Sequence, residues 1–126
     1  YQRDRVEKIC DKLSLKIFSP LWHMDQELLM KNLLQEEFEI IISSIAADGL
    51  TKEWLGKTID KDTINKLLAL NKKNKINIAG EGGEFESFVT NCPFFSKKIK
   101  ITKSRKQTDT PNSGRYVVEK AKLIEK

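Results

Sequence analysis

The sequence predicts an α/β fold that opens with a parallel βαβ unit and continues into a mixed sheet ending in antiparallel strands. Three observations predict it. Apolar residues recur at helical spacing in three early segments; an isoleucine run between two of them reads as a strand buried on both faces; and from Phe85 onward the pattern changes to a two-residue period.

The helical spacing begins at once, with Val6, Ile9, Cys10 and Leu13 on one face of a helix over residues 1–13. That pattern is already running at Tyr1, which reads as part of a longer chain. Residues 16–21 read as a short strand ended by Pro20, and Asp25 is a suitable N-cap for a helix that buries Leu28, Leu29, Leu33 and Leu34. Residues 38–46 carry Ile40, Ile41, Ile42 and Ile45 with little alternation, the signature of a strand inside a parallel sheet. Strand, helix and strand at this spacing form a βαβ unit, whose crossover is right-handed.

After Asp48-Gly49, residues 52–55 read as one helical turn closed by Gly56. A third helix starts near residues 60–63 and buries Ile64, Leu67, Leu68 and Leu70. Residues 76–79 read as a short strand, 81–83 as a turn, 85–90 as an alternating strand and 97–102 as a lysine-protected edge strand. Residues 104–114 lack apolar periodicity and contain Pro111, Asn112 and Gly114, so they read as a mobile loop before a last strand over 115–124.

At 126 residues, with 39% hydrophobic and 33% charged residues, the chain has the size and composition of a folded domain that needs no staple. Its formal charge of +5 favours anionic partners in general, although the lysines are spread along the chain. No apolar stretch is long enough to span a bilayer and no signal-peptide pattern opens the chain, so no membrane partner and a cytoplasmic location are expected. Cys10 and Cys92 have no partner at metal-ligand spacing and His23 is the only histidine, so no metal site is expected.

The most informative stretch is Gly80-Glu81-Gly82-Gly83-Glu84-Phe85-Glu86-Ser87-Phe88. Glycines at a strand end permit positive φ and close backbone approach, and grouped carboxylates can hold a cation or move protons. From composition alone, a glycine turn with solvated glutamates is the favoured reading. Trp22, His23 and Asp25 fall where a strand gives way to a helix, the usual ligand position of open α/β sheets, yet a core indole and a plain cap explain them as well. There is no Walker loop, no Ser-Gly-Gly-x-Asp-Ser loop, no nucleophile elbow and no second histidine for a triad. The basic run from Lys97 to Lys106 lacks interleaved aromatics, which argues against nucleic acid.

Several of these segments together resemble one family. Tyr1-Gln2-Arg3 with Arg5-Val6-Glu7, Pro20-Leu21-Trp22 with Asp25, Ala46-Ala47 to Gly49-Leu50, Trp54-Leu55-Gly56, the Gly80–Phe88 block and Cys92-Pro93-Phe94-Phe95 are similar to diphthine-ammonia ligases, of the N-type ATP pyrophosphatase group. Met24 and Asn91 depart from the family pattern, which has Arg and Asp there. The resemblance implies a two-domain, Rossmann-like enzyme: residues 1–22 are the last helix and strand of a nucleotide-binding domain, and residues 23–126 are the substrate-recognition domain. It implies that ATP, with Mg, is held mainly by a part preceding Tyr1, with Gln2 and Arg5 contributing. It further implies that ATP adenylylates the diphthine carboxylate of elongation factor 2 and that ammonia displaces AMP.

On this reading Glu84 and Glu86 are the catalytic candidates, and Trp22, Asp25, Glu81, Gly82, Gly83, Phe85 and Ser87 are the substrate-binding ones. A trimethylammonium group suits aromatic faces and carboxylates together. The fragment alone is expected to be inactive, and a homo-oligomer stays open. The rivals are another ATP pyrophosphatase acting on RNA or a small carboxylate, and a non-catalytic RNA- or protein-binding module.

Overall fold

A computed structural model describes residues 2–126. Tyr1, which opens the Tyr-Gln-Arg run, lies outside the described residues. The elements are α1 (Gln2–Lys12), α2 (Gln26–Gln35), β1 (Glu39–Ala46), a 3-10 turn (Lys52–Trp54), α3 (Lys61–Asn74), β2 (Phe85–Asn91), β3 (Lys98–Thr110) and β4 (Ser113–Ile124). The four strands form one sheet in the order β2-β1-β4-β3, and every pairing is antiparallel.

The parallel βαβ opening is therefore corrected. Residues 16–21, expected as its first strand, have no regular structure. The isoleucine run misled for a specific reason. Ile40, Ile42 and Ile45 are the buried positions of β1, and the step from 42 to 45 spans three residues because the register with β2 shifts between Ile42 and Ser44. A bulge at Ser43-Ser44 returns Ile45 to the core face, so one buried face of an antiparallel strand reads as two.

Helices α2 and α3 cover that face. Met30, Ile64 and Leu67 pack with Ile40, Ile42, Ile45, Leu55, Ile59 and Phe85 in a single core, and Leu33, Leu34, Leu68 and Leu70 pack at its edge. Leu28, expected inside, is exposed. Asp25 caps α2 by accepting the Leu28 amide at 2.9 Å, and Asp60 caps α3 by accepting the Thr63 amide at 2.8 Å. Residues 56–59 add to the edge of β1 through Lys57 and Ile59, next to where β4 joins it. Gly56, at φ +78, turns the chain there, and a Cβ on it would stand 2.5 Å from the Tyr116 ring.

Two further expectations are corrected by backbone hydrogen bonds that hydropathy does not reveal. Residues 76–79 are a turn, not a strand, although Ile76 and Ile78 are both buried. The Asn77 Oδ1 accepts the amides of Ala79 (2.9 Å) and Glu81 (3.4 Å), so a side chain takes the donors that a neighbouring strand would have taken. Residues 104–114 are not a loop: β3 runs through to Thr110 and turns at Pro111-Asn112 into β4. Ladder bonds need no apolar side chains. The tip is also fastened to the end of β1, with the Asn112 side chain donating to Leu50 O at 2.8 Å and Asn112 O accepting the Ala47 amide at 3.1 Å.

Helix α1 stands apart from this architecture. None of its residues is buried, and Val6, Ile9 and Leu13 are exposed along the face that the sequence marks as apolar, as are Leu15 and Phe18 after it. Among the described residues no helix is long and apolar enough to cross a membrane.

Candidate functional site

The Gly/Glu block forms the turn that leads into β2, and it divides the three carboxylates among different surroundings. Glu84 folds back into the turn. Its Oε2 accepts the Gly82 amide at 2.9 Å and its Oε1 accepts the Asn77 amide at 3.3 Å. Gly80 and Gly83 carry the positive φ values, +74 and +85, and the Gly83 amide donates to Gly80 O at 3.0 Å. At Gly82 the requirement is proximity: a Cβ there would lie 2.4 Å from the Glu84 carboxylate.

Glu81, exposed ahead of the Glu84 contacts, lines a cleft of about 590 Å³ together with Ser19, Pro20, Trp22, His23, Gln26 and Leu29. Trp22 is 52% exposed, its ring lies 4.6 Å from that of His23, and the Arg3 guanidinium stands 4.9 Å from its centroid. Helix α1 thus touches the cleft through a cation–π contact. Gln26 brings a buried Oε1 with no hydrogen-bond partner among the described residues.

Glu86 faces the other way. In β2 it is opposite Ser44 of β1, which is opposite Arg115 of β4, which is opposite Gln107 of β3. These four residues make one lateral row across the whole sheet, on the face away from α2 and α3. With Ser43, Arg105, Tyr116 and Val117 they line a shallow depression of about 480 Å³. The bulge that returns Ile45 to the core also sets both serines at this depression.

The remaining candidates fall into place separately. Phe85 is a core residue, 5% exposed, and faces neither cavity. Ser87 is exposed opposite Ile42, one residue out of phase with Glu86. Asp25 is exposed and serves as the α2 cap. Gln2 and Arg5 are exposed on α1. So the structure brings Trp22 to Glu81 and sets Glu86 apart from both, beside partners the sequence reading did not single out. Arg115 passed as an ordinary strand residue; the signal that pointed toward this face was the Ser43-Ser44 break in the isoleucine run. Among the described residues no three His, Cys, Asp or Glu side chains gather as metal ligands would.

Helices on one face of an antiparallel sheet, with a charged row on the other, define a two-layer α/β domain whose polar groups converge on its open face and on the cleft at its edge. The chain belongs to the diphthamide synthase C-terminal domain family, which matches residues 25–124. It is 45% identical over 102 residues to a diphthine–ammonia ligase of Schizosaccharomyces pombe, covering 81% of this chain and 17% of that protein. The diphthine–ammonia ligases of Rattus norvegicus and Homo sapiens are 42% and 40% identical over 105 residues, in each case 82% of this chain and 39% of the relative. The chain therefore spans well under half the length of these relatives.

Proposed function

We propose that this chain is the substrate-recognising part of an ATP-dependent diphthine–ammonia ligase. In the proposed reaction the diphthine carboxylate on elongation factor 2 is activated as an acyl adenylate, and ammonia displaces AMP to leave the amide of diphthamide. The observation that supports this most is the turn over residues 80–86. One of its three glutamates is consumed in holding the turn, and the other two are displayed outward on either side of it. A turn kept rigid by its own carboxylate presents the next ones at defined positions, which is what binding a cationic substrate group requires.

In this reading Glu86 faces the substrate cation across the open face of the sheet. Trp22 and Glu81 line the cleft at the seam, where the substrate and the nucleotide-bearing part meet. Residues 1–22 belong to that other part, which would hold ATP with Mg. The exposed apolar face of α1 and the start of the family match at residue 25 both support the boundary. Gln2 and Arg5, three residues apart on α1, offer an amide and a guanidinium on one face, suited to one edge of a nucleotide and insufficient to cradle its phosphates. The chain by itself is then inactive.

The test is the full-length protein supplied with ATP, ammonium and diphthine-bearing elongation factor 2. The reading expects amide product with one AMP per amide formed. Absence of both AMP and amide would overturn it.

A further inference from the structure

The row across the open face holds two opposite charges that do not meet. Glu86 and Arg115 flank Ser44 on its two sides, so their Cα atoms lie about 10 Å apart, twice the interstrand spacing. Neither forms an ion pair or side-chain hydrogen bond among the described residues. The other guanidinium in the depression is already committed: Arg105 Nε lies 3.2 Å from Glu119, and its Nη1 donates to Gln107 at 3.1 Å. A carboxylate and a guanidinium are thus left free at opposite sides of one depression, with the Ser43 and Ser44 side chains between them.

From this arrangement we infer that Arg115 is a specificity-determining residue that takes the carboxylate of a compact zwitterion whose cationic nitrogen faces Glu86. The inference rests on the proposed function and deepens it, since diphthine carries a trimethylammonium and a carboxylate on one carbon. A planar guanidinium suits a carboxylate because two parallel N–H donors match its two oxygens. Glu86 contributes charge alone, because a quaternary ammonium has no proton to donate. A ligand with both groups fits this field in one orientation, with its cation at Glu86 and its carboxylate at Arg115. Ligands with only one of the groups lose half of the interaction.

The experiment uses the purified 126-residue chain and three small probes: glycine betaine, choline, which has the same cation without the carboxylate, and acetate. Binding is followed by the backbone amide resonances of Ser44, Glu86, Arg115 and Gln107. Betaine should bind in the tens of millimolar or tighter and shift all four. Arg115→Gln should weaken betaine by about tenfold, to the level of choline, while leaving choline unchanged. Arg115→Lys should recover part of the loss, and Glu86→Gln should weaken betaine and choline alike. Arg115 is exposed and unpaired, so its variants should melt with the parent chain, and melting is measured alongside. Equal binding of betaine and choline, no response to Arg115→Gln, or shifts confined to the Trp22–Glu81 cleft would overturn the assignment. Those results leave the ligase reading standing if the full-length protein still makes amide. Conversely, Arg115-dependent betaine binding with no amide formation would retain the zwitterion site and remove the ligase.

Discussion

Glu84 closes on Gly82, its Oε2 accepting the Gly82 amide at 2.9 Å two residues back along the chain. The other oxygen reaches the Asn77 amide at 3.3 Å, so a single carboxylate ties the end of the 76–79 turn to the start of β2. The neighbouring glutamates are displayed because this one is not.

Glu84 and Glu86 should therefore respond oppositely to neutralisation. Glu84→Ala should cost about 1–2 kcal/mol in urea denaturation, because two amides lose a charged acceptor, and Glu84→Gln about half of that. Glu86→Gln should leave the midpoint within about 0.5 kcal/mol, as expected of an exposed side chain without partners, and show its effect in substrate affinity. Equal stability losses for Glu84→Ala and Glu86→Ala would refute the division of roles.

The glycines of the turn allow a graded check. Gly83 has positive φ, but nothing lies within 4 Å of where a Cβ would stand, so Gly83→Ala should cost only the conformational strain, about 1–2 kcal/mol. Gly80 has positive φ and its Cβ would stand 2.7 Å from Phe85 O, so Gly80→Ala should cost more than Gly83→Ala. Denaturant midpoints of the two variants decide the order.

Much of the helical half of this fold was legible in the sequence, since caps and apolar spacing are local. Asp25 and Asp60 read as helix starts and are, and the apolar set from Ile64 to Leu70 lies in or against the core as its spacing implied. The sheet was less legible, because its register depends on a bulge at Ser43-Ser44 and on Asn77 and Asn112, whose side chains redirect backbone donors and acceptors. The candidate site divides the same way. The Gly/Glu block was visible as a motif, whereas the row from Glu86 to Gln107 joins residues from four strands and exists only once the register is fixed.

The Asp60 cap gives a pH prediction. The hydrogen bond from the Thr63 amide is the main cause that holds the Asp60 carboxyl below its ordinary value. A lowered pKa in the folded state stabilises it above the unfolded value, near 3.9, and that contribution is lost as pH falls through the lowered one. Asp60→Ala should cost about 1 kcal/mol at neutral pH, and the gap should narrow as the pH falls below about 4. A gap that widens in acid would contradict the assignment. Asp25→Asn, which keeps a capping oxygen, should leave both melting and ligation intact if Asp25 is only a cap.

The most direct measurement of the central claim compares the binding of this chain to diphthine-bearing elongation factor 2 with its binding to the same factor lacking the modification, without nucleotide. A substrate-recognising part should bind the modified factor at least about tenfold more tightly, with the preference reduced by Glu86→Gln. Equal affinity for the two forms of the factor would contradict the account, whatever the full-length protein does with ATP.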